Sequence, residues 1–220
     1  MEHVISREIP AKDLFMMCRE LNRYALGELP EGYHFRTLRR GELDEWKGML
    51  LDFPHSPETR DEYMKVMSDY YDAVYAKKAD TFFDSCLVAC EGRDKLIGRG
   101  FIWKAYGEIS TVHWYKVLKD HENRGVGRAI LSEMLRGLGE GDYPVYLHTH
   151  PSSYRAIKLY SDFGFQLLTN PIIGKRNNDL AECLPILKKH MARGEFERLS
   201  FAEAPRSFAD IVGRHEIEEL

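Results

Sequence analysis

The sequence predicts an α/β protein in which a mixed, mostly antiparallel sheet is flanked by helices. Helical and strand-like periodicities follow one another along the 220 residues. The strands that lead to Val117 are joined by short hairpin-type turns, and a glycine-rich turn after Val117 opens directly into a helix. Hairpin-linked strands with helices inserted between them are typical of such a sheet.

The composition is that of an ordinary globular protein. Hydrophobic residues make up 44% of the chain and charged residues 30%, with a formal net charge of -4. This charge argues against nucleic acid as a partner. We expect no membrane partner, because no apolar run is long enough to span a bilayer. The first ten residues lack the features of a signal peptide, which predicts a cytoplasmic protein.

The four cysteines match no zinc-binding pattern, so we expect free thiols and no metal.

The order of elements predicts three segments, each with its own organisation. They are an N-terminal helical extension over residues 1–32, a central domain over 33–177 and a C-terminal helical extension over 178–220.

The first half of the chain is predicted to hold three helices and one strand. Apolar residues recur at helical spacing over Ile9–Leu26, and Tyr33–Leu38 alternates like a strand. A short helix is expected from Gly41 to Leu51, with Trp46 on its buried face. A longer helix follows, for which Ser56 is the predicted N-cap residue.

Strands dominate the central part of the sequence. The predicted strands are Ser85–Cys90, Lys95–Tyr106, Ile109–Val117, Tyr143–His150, Phe165–Thr169 and, as a weaker signal, Ile172–Lys175. Helices are predicted from the glycine turn to Leu138 and from Pro151 to Phe163, and the tail beyond Asp179 has a helical pattern.

The glycine turn itself, Asn123–Arg128, predicts an anion-binding site, which we call the phosphate cradle. The first N–H groups of a helix have no intrahelical acceptors and point towards whatever lies at its N-terminus. Glycine at Gly125 and Gly127 lets the backbone come close to a ligand. We therefore expect a pyrophosphate to bind here.

Two blocks of sequence resemble the GNAT superfamily of N-acetyltransferases. The family's acyl-CoA motif reads Gln/Arg-x-x-Gly-x-Gly/Ala after a strand that ends in valine. Residues Glu122–Gly127 follow it, with Val117 in register and Glu122 in place of the usual Gln or Arg. The second block, Ser153–Phe165, matches the family's Asn-x-x-Ala, Leu-Tyr and Gly-Phe pattern, with Ser153 replacing the asparagine.

The resemblance implies an acetyl-CoA-dependent N-acetyltransferase and assigns roles within its motifs. Val117 and Leu118 are expected to hydrogen-bond the pantetheine arm, and Ser153 is a further candidate at the start of the second helix. Tyr160 is the candidate acid that protonates the leaving thiolate, although it also fits a core aromatic position. The backbone N–H groups expected to hold the pyrophosphate are those of Arg124, Gly125, Val126, Gly127 and Arg128.

His113 is the candidate general base. Strand alternation places it on the same face as Val117, and the resemblance places a base at this part of the strand. Thr111 on that face is a candidate for ordering a water molecule, and Glu108 is the fallback base. The alternative, which we weigh equally, is a structural role in which His113 hydrogen-bonds a neighbouring backbone group.

His148 and His150 share one face of a later strand. We rank substrate-pocket lining first, structural histidines second and a metal site third, because no third ligand is evident unless His113 or His121 supplies it. Four acids of the tyrosine-rich helix suit either a cationic acceptor or, more simply, a solvent-exposed face. They are Asp61, Glu62, Asp69 and Asp72.

The leading hypothesis is therefore transfer of an acetyl group to the amine of a small molecule, with a homodimer compatible with the sequence. A second hypothesis is a catalytically silent acyl-CoA sensor or interaction module of the same fold. Glu122 and Ser153 both depart from the motif and favour that alternative. A dinucleotide-binding oxidoreductase is excluded, because Gly125 and Gly127 lack a third glycine at the required spacing.

Overall fold

The computed structural model describes residues 9–217 and 219, and it confirms the mixed, mostly antiparallel sheet. The strands are β1 (Leu14–Cys18), β2 (Tyr33–Thr37), β3 (Leu87–Glu91), β4 (Lys95–Ala105), β5 (Ile109–Val117), β6 (Val145–Thr149), β7 (Gln166–Leu168), β8 (Ile172–Ile173), β9 (Arg176–Asn177) and β10 (Phe201–Ala202). The sheet order is β10-β7-β1-β6-β5-β4-β3-β2, and β8 pairs separately with β9.

Helices flank this sheet along the chain. They are α1 (Leu43–Gly48), α2 (Pro57–Val74), α3 (Ala79–Ser85), α4 (Val126–Arg136), α5 (Tyr154–Asp162), α6 (Leu180–His190), α7 (Arg193–Phe196) and α8 (Arg206–Gly213). As predicted, the Ser56 side chain caps α2 by accepting a hydrogen bond from the Thr59 N–H at 3.2 Å. None of the described helices is both long and apolar enough to cross a membrane.

The first of two compact units comprises Leu26–Trp103 and Val112–Leu138. Its strands β2, β3 and β4 pair antiparallel. Two glycines of β4 allow α4 to pack close to the strand. A Cβ atom at Gly98 would lie 2.6 Å from Ile130, and one at Gly100 would lie 2.7 Å from Met134. This close packing fixes α4, and with it the phosphate cradle, against the sheet.

The second unit comprises the described residues before Leu26, Lys104–Thr111 and those from Gly139 onward. Strand β1 lies between β6 and β7 and pairs antiparallel with both. Strand β6 also pairs parallel to the first residues of β5, through Ser110 and Thr111. Parallel pairing of this kind makes the sheet mixed.

The helix predicted over Ile9–Leu26 is wrong. Leu14–Cys18 is strand β1, and all five residues are buried. A strand with a partner on each side and both faces covered consists of consecutive apolar residues, so it loses the alternation that marks a half-exposed strand. The adjacent turn Arg23–Ala25 is 3-10 helical, and its Tyr24 side chain is fully exposed.

The tail is largely helical, as predicted, but it also contributes a strand. Phe201 of β10 pairs with Leu167 of β7 in a parallel register. Residues 1–8 of the predicted N-terminal extension, and residues 218 and 220 of the C-terminal one, lie outside the described residues. The proposed boundaries at residues 32 and 177 stay predictions. The four cysteines are buried free thiols, as expected.

Candidate active site

The phosphate cradle forms where α4 begins. Asn123 and Gly125 have left-handed backbone angles, with φ of 59° and 86°, and Gly125 is the N-cap residue of α4. Glycine has no side chain to cap the helix, and no side-chain cap replaces it. In the described part of the chain, the N–H groups of Val126 and Gly127 find no backbone acceptor, so they are available to an anion.

Gly127 has a steric reason to be glycine. A Cβ atom at this position would overlap the Tyr115 hydroxyl and lie 3.5 Å from Val117. The Tyr115 ring, on β5, therefore closes one side of the first turn of α4. Any side chain at position 127 would displace either Tyr115 or the backbone of the first turn of α4. This arrangement fits a pyrophosphate held by main-chain N–H groups.

Both basic residues of the cradle are tied to its surroundings. Arg124 is exposed and donates a hydrogen bond to the Tyr33 hydroxyl at 3.3 Å. Arg128 packs along Gly27, where a Cβ atom would come within 3.0 Å of the Arg128 side chain. Burial raises the pKa of Tyr115 well above its ordinary value, and the Glu122 carboxylate raises it further. The departure at Glu122 thus brings a negative charge to the cradle.

On the strand side of the cradle, both backbone polar groups of Leu118 already have partners within the protein. The Leu118 N–H donates to the Ile97 carbonyl at 2.8 Å, and the Leu118 carbonyl accepts from the His121 N–H at 2.9 Å. Because the Leu118 N–H is already engaged within the protein, it is not available to donate to a pantetheine arm. Val117 is buried at the end of β5, and its predicted contact stays a prediction.

His113 is buried in the first unit and contacts the Tyr75 hydroxyl. Its Nδ1 atom lies 2.5 Å from the Tyr75 hydroxyl, which also accepts a hydrogen bond from Trp114 Nε1 at 2.9 Å. Burial raises the pKa of Tyr75 well above its ordinary value, so the phenol stays neutral. If the His113 Nδ1–H donates to Tyr75, then Nε2 carries the lone pair that a base needs.

Tyr75 was not singled out in the sequence, because it lies 38 residues before His113 and is one of several tyrosines near α2. The two other residues considered near the base, Thr111 for ordering a water molecule and Glu108 as the fallback base, differ from each other in burial. Thr111 is buried in the second unit, whereas Glu108 is exposed in the turn between β4 and β5. The base role of His113 stays a prediction.

Tyr160 lies on α5 in the second unit, and the helix predicted to end at Phe163 and the strand predicted over Phe165–Thr169 both form, as α5 and β7. Its side chain is 6% exposed and its ring centroid lies 5.8 Å from that of Phe165. Ser153 is the N-cap residue of α5 but makes no side-chain capping hydrogen bond. The acid role of Tyr160 and the CoA contact of Ser153 stay predictions.

His148 and His150 belong to an ionic cluster that the sequence did not reveal. His148 Nε2 lies 2.8 Å from an Asp13 oxygen and 2.8 Å from Arg176 Nη2, and Arg176 also contacts Asp13 at 2.6 Å. His150 Nδ1 donates to the Lys12 carbonyl at 2.9 Å. No sequence pattern links Asp13 to residues more than 130 positions away.

Asp13, His148 and His150 bring three ligand-type atoms within 4.8 Å of one another. The contacts nevertheless disfavour a metal ion. The Arg176 guanidinium already supplies the positive charge between Asp13 and His148, and the His150 nitrogen nearest to Asp13 carries a proton for the Lys12 carbonyl. The arrangement favours structural histidines, and the predicted role in lining the substrate pocket stays a prediction.

Lowering the pH from about 7 to 4 is expected to destabilise the fold through His148. Burial lowers the pKa of His148 from 6.5 to about 4. The unfolded chain therefore binds more protons in this window, and the free energy of unfolding falls as the pH falls. The full shift corresponds to roughly 3 kcal/mol. Denaturant unfolding at several pH values measures this pH dependence of the free energy of unfolding.

A His148→Gln variant should show a weaker pH dependence between 6.5 and 4, whereas His55→Gln, at an exposed histidine, should keep that of the wild type. Below this window a second loss is expected. Burial raises the pKa of Asp13, but hydrogen bonds from His148 and Arg176 hold it well below its ordinary value. An unchanged pH dependence in His148→Gln would contradict the assignment.

The acidic residues of α2 form a solvent-exposed face. Asp61, Glu62, Asp69 and Asp72 are all exposed, and the buried side of the helix consists of Tyr63, Met67, Tyr71 and Val74. The charges therefore do not line a buried wall for a cationic acceptor. The simpler interpretation of this helix is the one that the structure supports.

A known protein family matches the part of the chain that contains both motif blocks. The sequence pattern of the acetyltransferase (GNAT) family matches residues 46–165. This span includes both the phosphate cradle and the helix that carries Tyr160. A comparison with curated proteins found no match.

Solved structures of acetyltransferases are similar at low sequence identity. An acetyltransferase from the GNAT family from Colwellia psychrerythraea is 12% identical, with a TM-score of 0.49 over 72% of this chain and 53% of its own. A GCN5-related N-acetyltransferase from Sphaerobacter thermophilus is 20% identical, with a TM-score of 0.48 over 72% and 49%. A tandem GNAT protein from the clavulanic acid biosynthesis pathway is 12% identical, with a TM-score of 0.48 over 72% of this chain and 50% of its own. The chain spans about half the length of these proteins.

Proposed function

Because the chain belongs to the GNAT acetyltransferase family, we propose that it transfers an acetyl group from acetyl-CoA to the amine of a small molecule. The phosphate cradle is the observation that carries this proposal. Its N–H groups at Val126 and Gly127 have no backbone acceptor in the described part of the chain, and Gly127 leaves no space for a side chain. A thioester substrate with a pyrophosphate group suits such a site.

In this proposal acetyl-CoA supplies the activated acetyl group, and the protein supplies binding and proton transfer. In this proposal the N–H groups of the cradle hold the pyrophosphate, and Val117, the last residue of β5, contacts the pantetheine arm. His113 accepts the proton of the attacking amine at Nε2, in the tautomer that Tyr75 stabilises. The Tyr160 hydroxyl donates a proton to the departing thiolate.

The second candidate function is an acyl-CoA-binding module without catalysis. Two features favour it: the Leu118 N–H is engaged by Ile97, and Glu122 places a carboxylate near the cradle. Both features weaken the binding or positioning of the thioester without removing the cradle. The two candidates predict the same ligand but different turnover.

Free CoA is expected to raise the melting temperature by several degrees at a concentration about 100-fold above its dissociation constant. With acetyl-CoA and a panel of small amines, the enzyme should release free thiol and form the acetylated amine, which mass spectrometry identifies. CoA binding without turnover on any amine would favour the silent module. If CoA neither binds nor stabilises the protein, both candidates are wrong.

A further inference from the structure

The segment before β2 flanks the phosphate cradle, although it lies outside the part of the chain that the family pattern matches. The Gly27 N–H donates a hydrogen bond to Ser132 Oγ of α4 at 2.9 Å. A Cβ atom at Gly125 would lie 3.5 Å from Pro30, which is ordinary van der Waals contact. The segment therefore packs against α4 and its N-cap residue, and it leads directly into Tyr33, the first residue of β2.

Tyr33 lies beside the cradle because the strands of the first unit meet at the same end of the sheet. Tyr33 pairs with Glu91, the last residue of β3, and Glu91 pairs with Lys95, the first residue of β4. The Ile97 carbonyl of β4 accepts a hydrogen bond from the N–H of Leu118, which directly follows β5. Antiparallel pairing thus brings the start of β2 within reach of the turn that follows β5.

The Tyr33 hydroxyl links an exposed arginine to a buried histidine. Arg124 Nη1 lies 3.3 Å from this hydroxyl, and His121 Nδ1 lies 3.1 Å from it. An arginine side chain can only donate, so the Tyr33 oxygen accepts from Arg124 and can give its own proton to His121 Nδ1. One hydroxyl therefore uses both its acceptor and its donor in this arrangement.

His121 gives this series of contacts a rigid anchor. Its side chain is 5% exposed, and its ring meets that of Tyr33 edge-on at a centroid distance of 5.7 Å. Its backbone N–H donates to the Leu118 carbonyl at 2.9 Å, and its Nε2 atom lies 3.9 Å from a Glu91 carboxylate oxygen. Packing and hydrogen bonds fix His121, and His121 in turn fixes the Tyr33 hydroxyl.

Arg124 is the outermost member of the series and is exposed to solvent. It immediately precedes Gly125, the N-cap residue of α4. Among the described residues its guanidinium donates only to Tyr33, and no carboxylate forms an ion pair with it. A guanidinium has more N–H donors than this single contact uses, so the others can reach a ligand at the mouth of the cradle.

A positive charge has an electrostatic use at this place. The hydrogen bond to Tyr33 raises the pKa of Arg124, and the carboxylates of Glu91 and Asp120 raise it further. Glu122 adds another negative charge near the cradle. These acids oppose the binding of a phosphate, whereas a guanidinium binds phosphate through strong, charge-assisted hydrogen bonds.

We propose that Tyr33, anchored by His121, is a positioning residue that holds Arg124 beside the cradle, where its guanidinium binds a phosphate group of CoA. This inference rests on the proposed function and adds a side-chain cation to backbone N–H donors. The contact with Tyr33 restricts the arginine before the ligand arrives, which lowers the entropy lost on binding. The pyrophosphate and the 3′-phosphate of CoA present the same chemistry to a guanidinium.

Calorimetric titration with CoA tests the proposal. Arg124→Met removes the charge from an exposed side chain, and it should weaken CoA binding by roughly 10-fold or more. Tyr33→Phe removes only the positioning hydroxyl, and it should weaken CoA binding by roughly 2- to 5-fold. The unliganded Arg124→Met variant should melt like the wild type, because the substituted side chain is exposed. Unchanged CoA affinity in Arg124→Met would overturn the proposal.

A double variant separates positioning from a direct contact. If Tyr33 acts through Arg124, adding Tyr33→Phe to Arg124→Met should weaken CoA binding no further. An equal loss in both backgrounds would overturn the positioning role. Tyr24→Phe, at a fully exposed tyrosine, and Arg193→Met, at an exposed arginine of α7, are the matched controls and should bind CoA like the wild type.

Two analogues identify the phosphate that Arg124 contacts. Dephospho-CoA lacks the 3′-phosphate, so a contact with that group predicts equal affinities of the wild type and Arg124→Met for dephospho-CoA. A contact with the pyrophosphate predicts that Arg124→Met weakens the binding of CoA and dephospho-CoA by the same factor. Pantetheine lacks both groups, and its binding should not depend on Arg124.

Failure of the two proposals can be distinguished. If the wild type and Arg124→Met bind CoA equally well, the role of Arg124 is wrong and the proposed function is unaffected. CoA binding that depends on Arg124, without turnover on any amine, would support the phosphate contact and favour the silent module. If the wild type does not bind CoA, both proposals are wrong.

Discussion

Replacing Tyr160 with phenylalanine is expected to lower kcat by roughly 100-fold or more and to leave the affinity for CoA unchanged. The substitution removes only the hydroxyl, which we propose protonates the departing thiolate. The ring is 6% exposed and packs near Phe165, so the fold should tolerate the change. Steady-state thiol release measures kcat, and titration with CoA measures the affinity.

Tyr154→Phe on the same helix is the matched control. Its ring stacks on His190 at a centroid distance of 5.5 Å, and removing its hydroxyl should leave kcat near that of the wild type. A pH–rate profile adds a second criterion, because loss of the acid should remove the alkaline limb seen in the wild type. If Tyr160→Phe retains full activity, or if both variants lose the same amount, Tyr160 is not the acid.

Replacing Gly127 with alanine is expected to weaken CoA binding by roughly 10- to 100-fold. The added methyl group would overlap the Tyr115 hydroxyl and push the first turn of α4 away from its present position. Each displaced N–H group would lose a hydrogen bond to a charged phosphate, which contributes about 1.5–3 kcal/mol. Calorimetric titration with CoA, beside a melting curve of the unliganded protein, separates lost binding from lost folding.

Gly137→Ala makes the same substitution at the other end of α4. Gly137 has helical backbone angles, and among the described residues no atom lies within 4 Å of the added methyl group, so this variant should bind CoA like the wild type. Gly127→Ala combined with Tyr115→Phe removes the overlapping hydroxyl and should recover the melting temperature. Unchanged CoA affinity in Gly127→Ala alone would show that the phosphates bind elsewhere.

The elements that sequence reasoning predicted best are those with local causes. Ser56 and Pro57 start α2 by capping and by a preset backbone angle, and Gly125 starts α4 by adopting a left-handed conformation. Hairpin strands β3 and β4 follow from alternation and from the turn between them. Each of these signals acts over a few residues and can be read directly from the chain.

Strand β1 shows where local reasoning fails. Leu14–Cys18 contains five apolar residues in a row, and such a run fits a buried helix as well as a central strand. Its pairing with β6, more than 120 residues later, decides between the two. The short helix α3 was missed for a related reason, because Phe82 and Phe83 are recognised as buried only once the aromatic core is assembled.

The sequence by itself determined the family and predicted the phosphate cradle and the candidate acid, because their motifs lie in short, contiguous stretches. Only the tertiary structure brought Asp13 to His148, Tyr75 to His113, and Trp46 to Arg99. These pairs are separated by 38 to 135 residues, and no local pattern records them. The full burial of Arg99 is likewise a property of the folded chain, since the environment of a charge depends on the residues that pack around it.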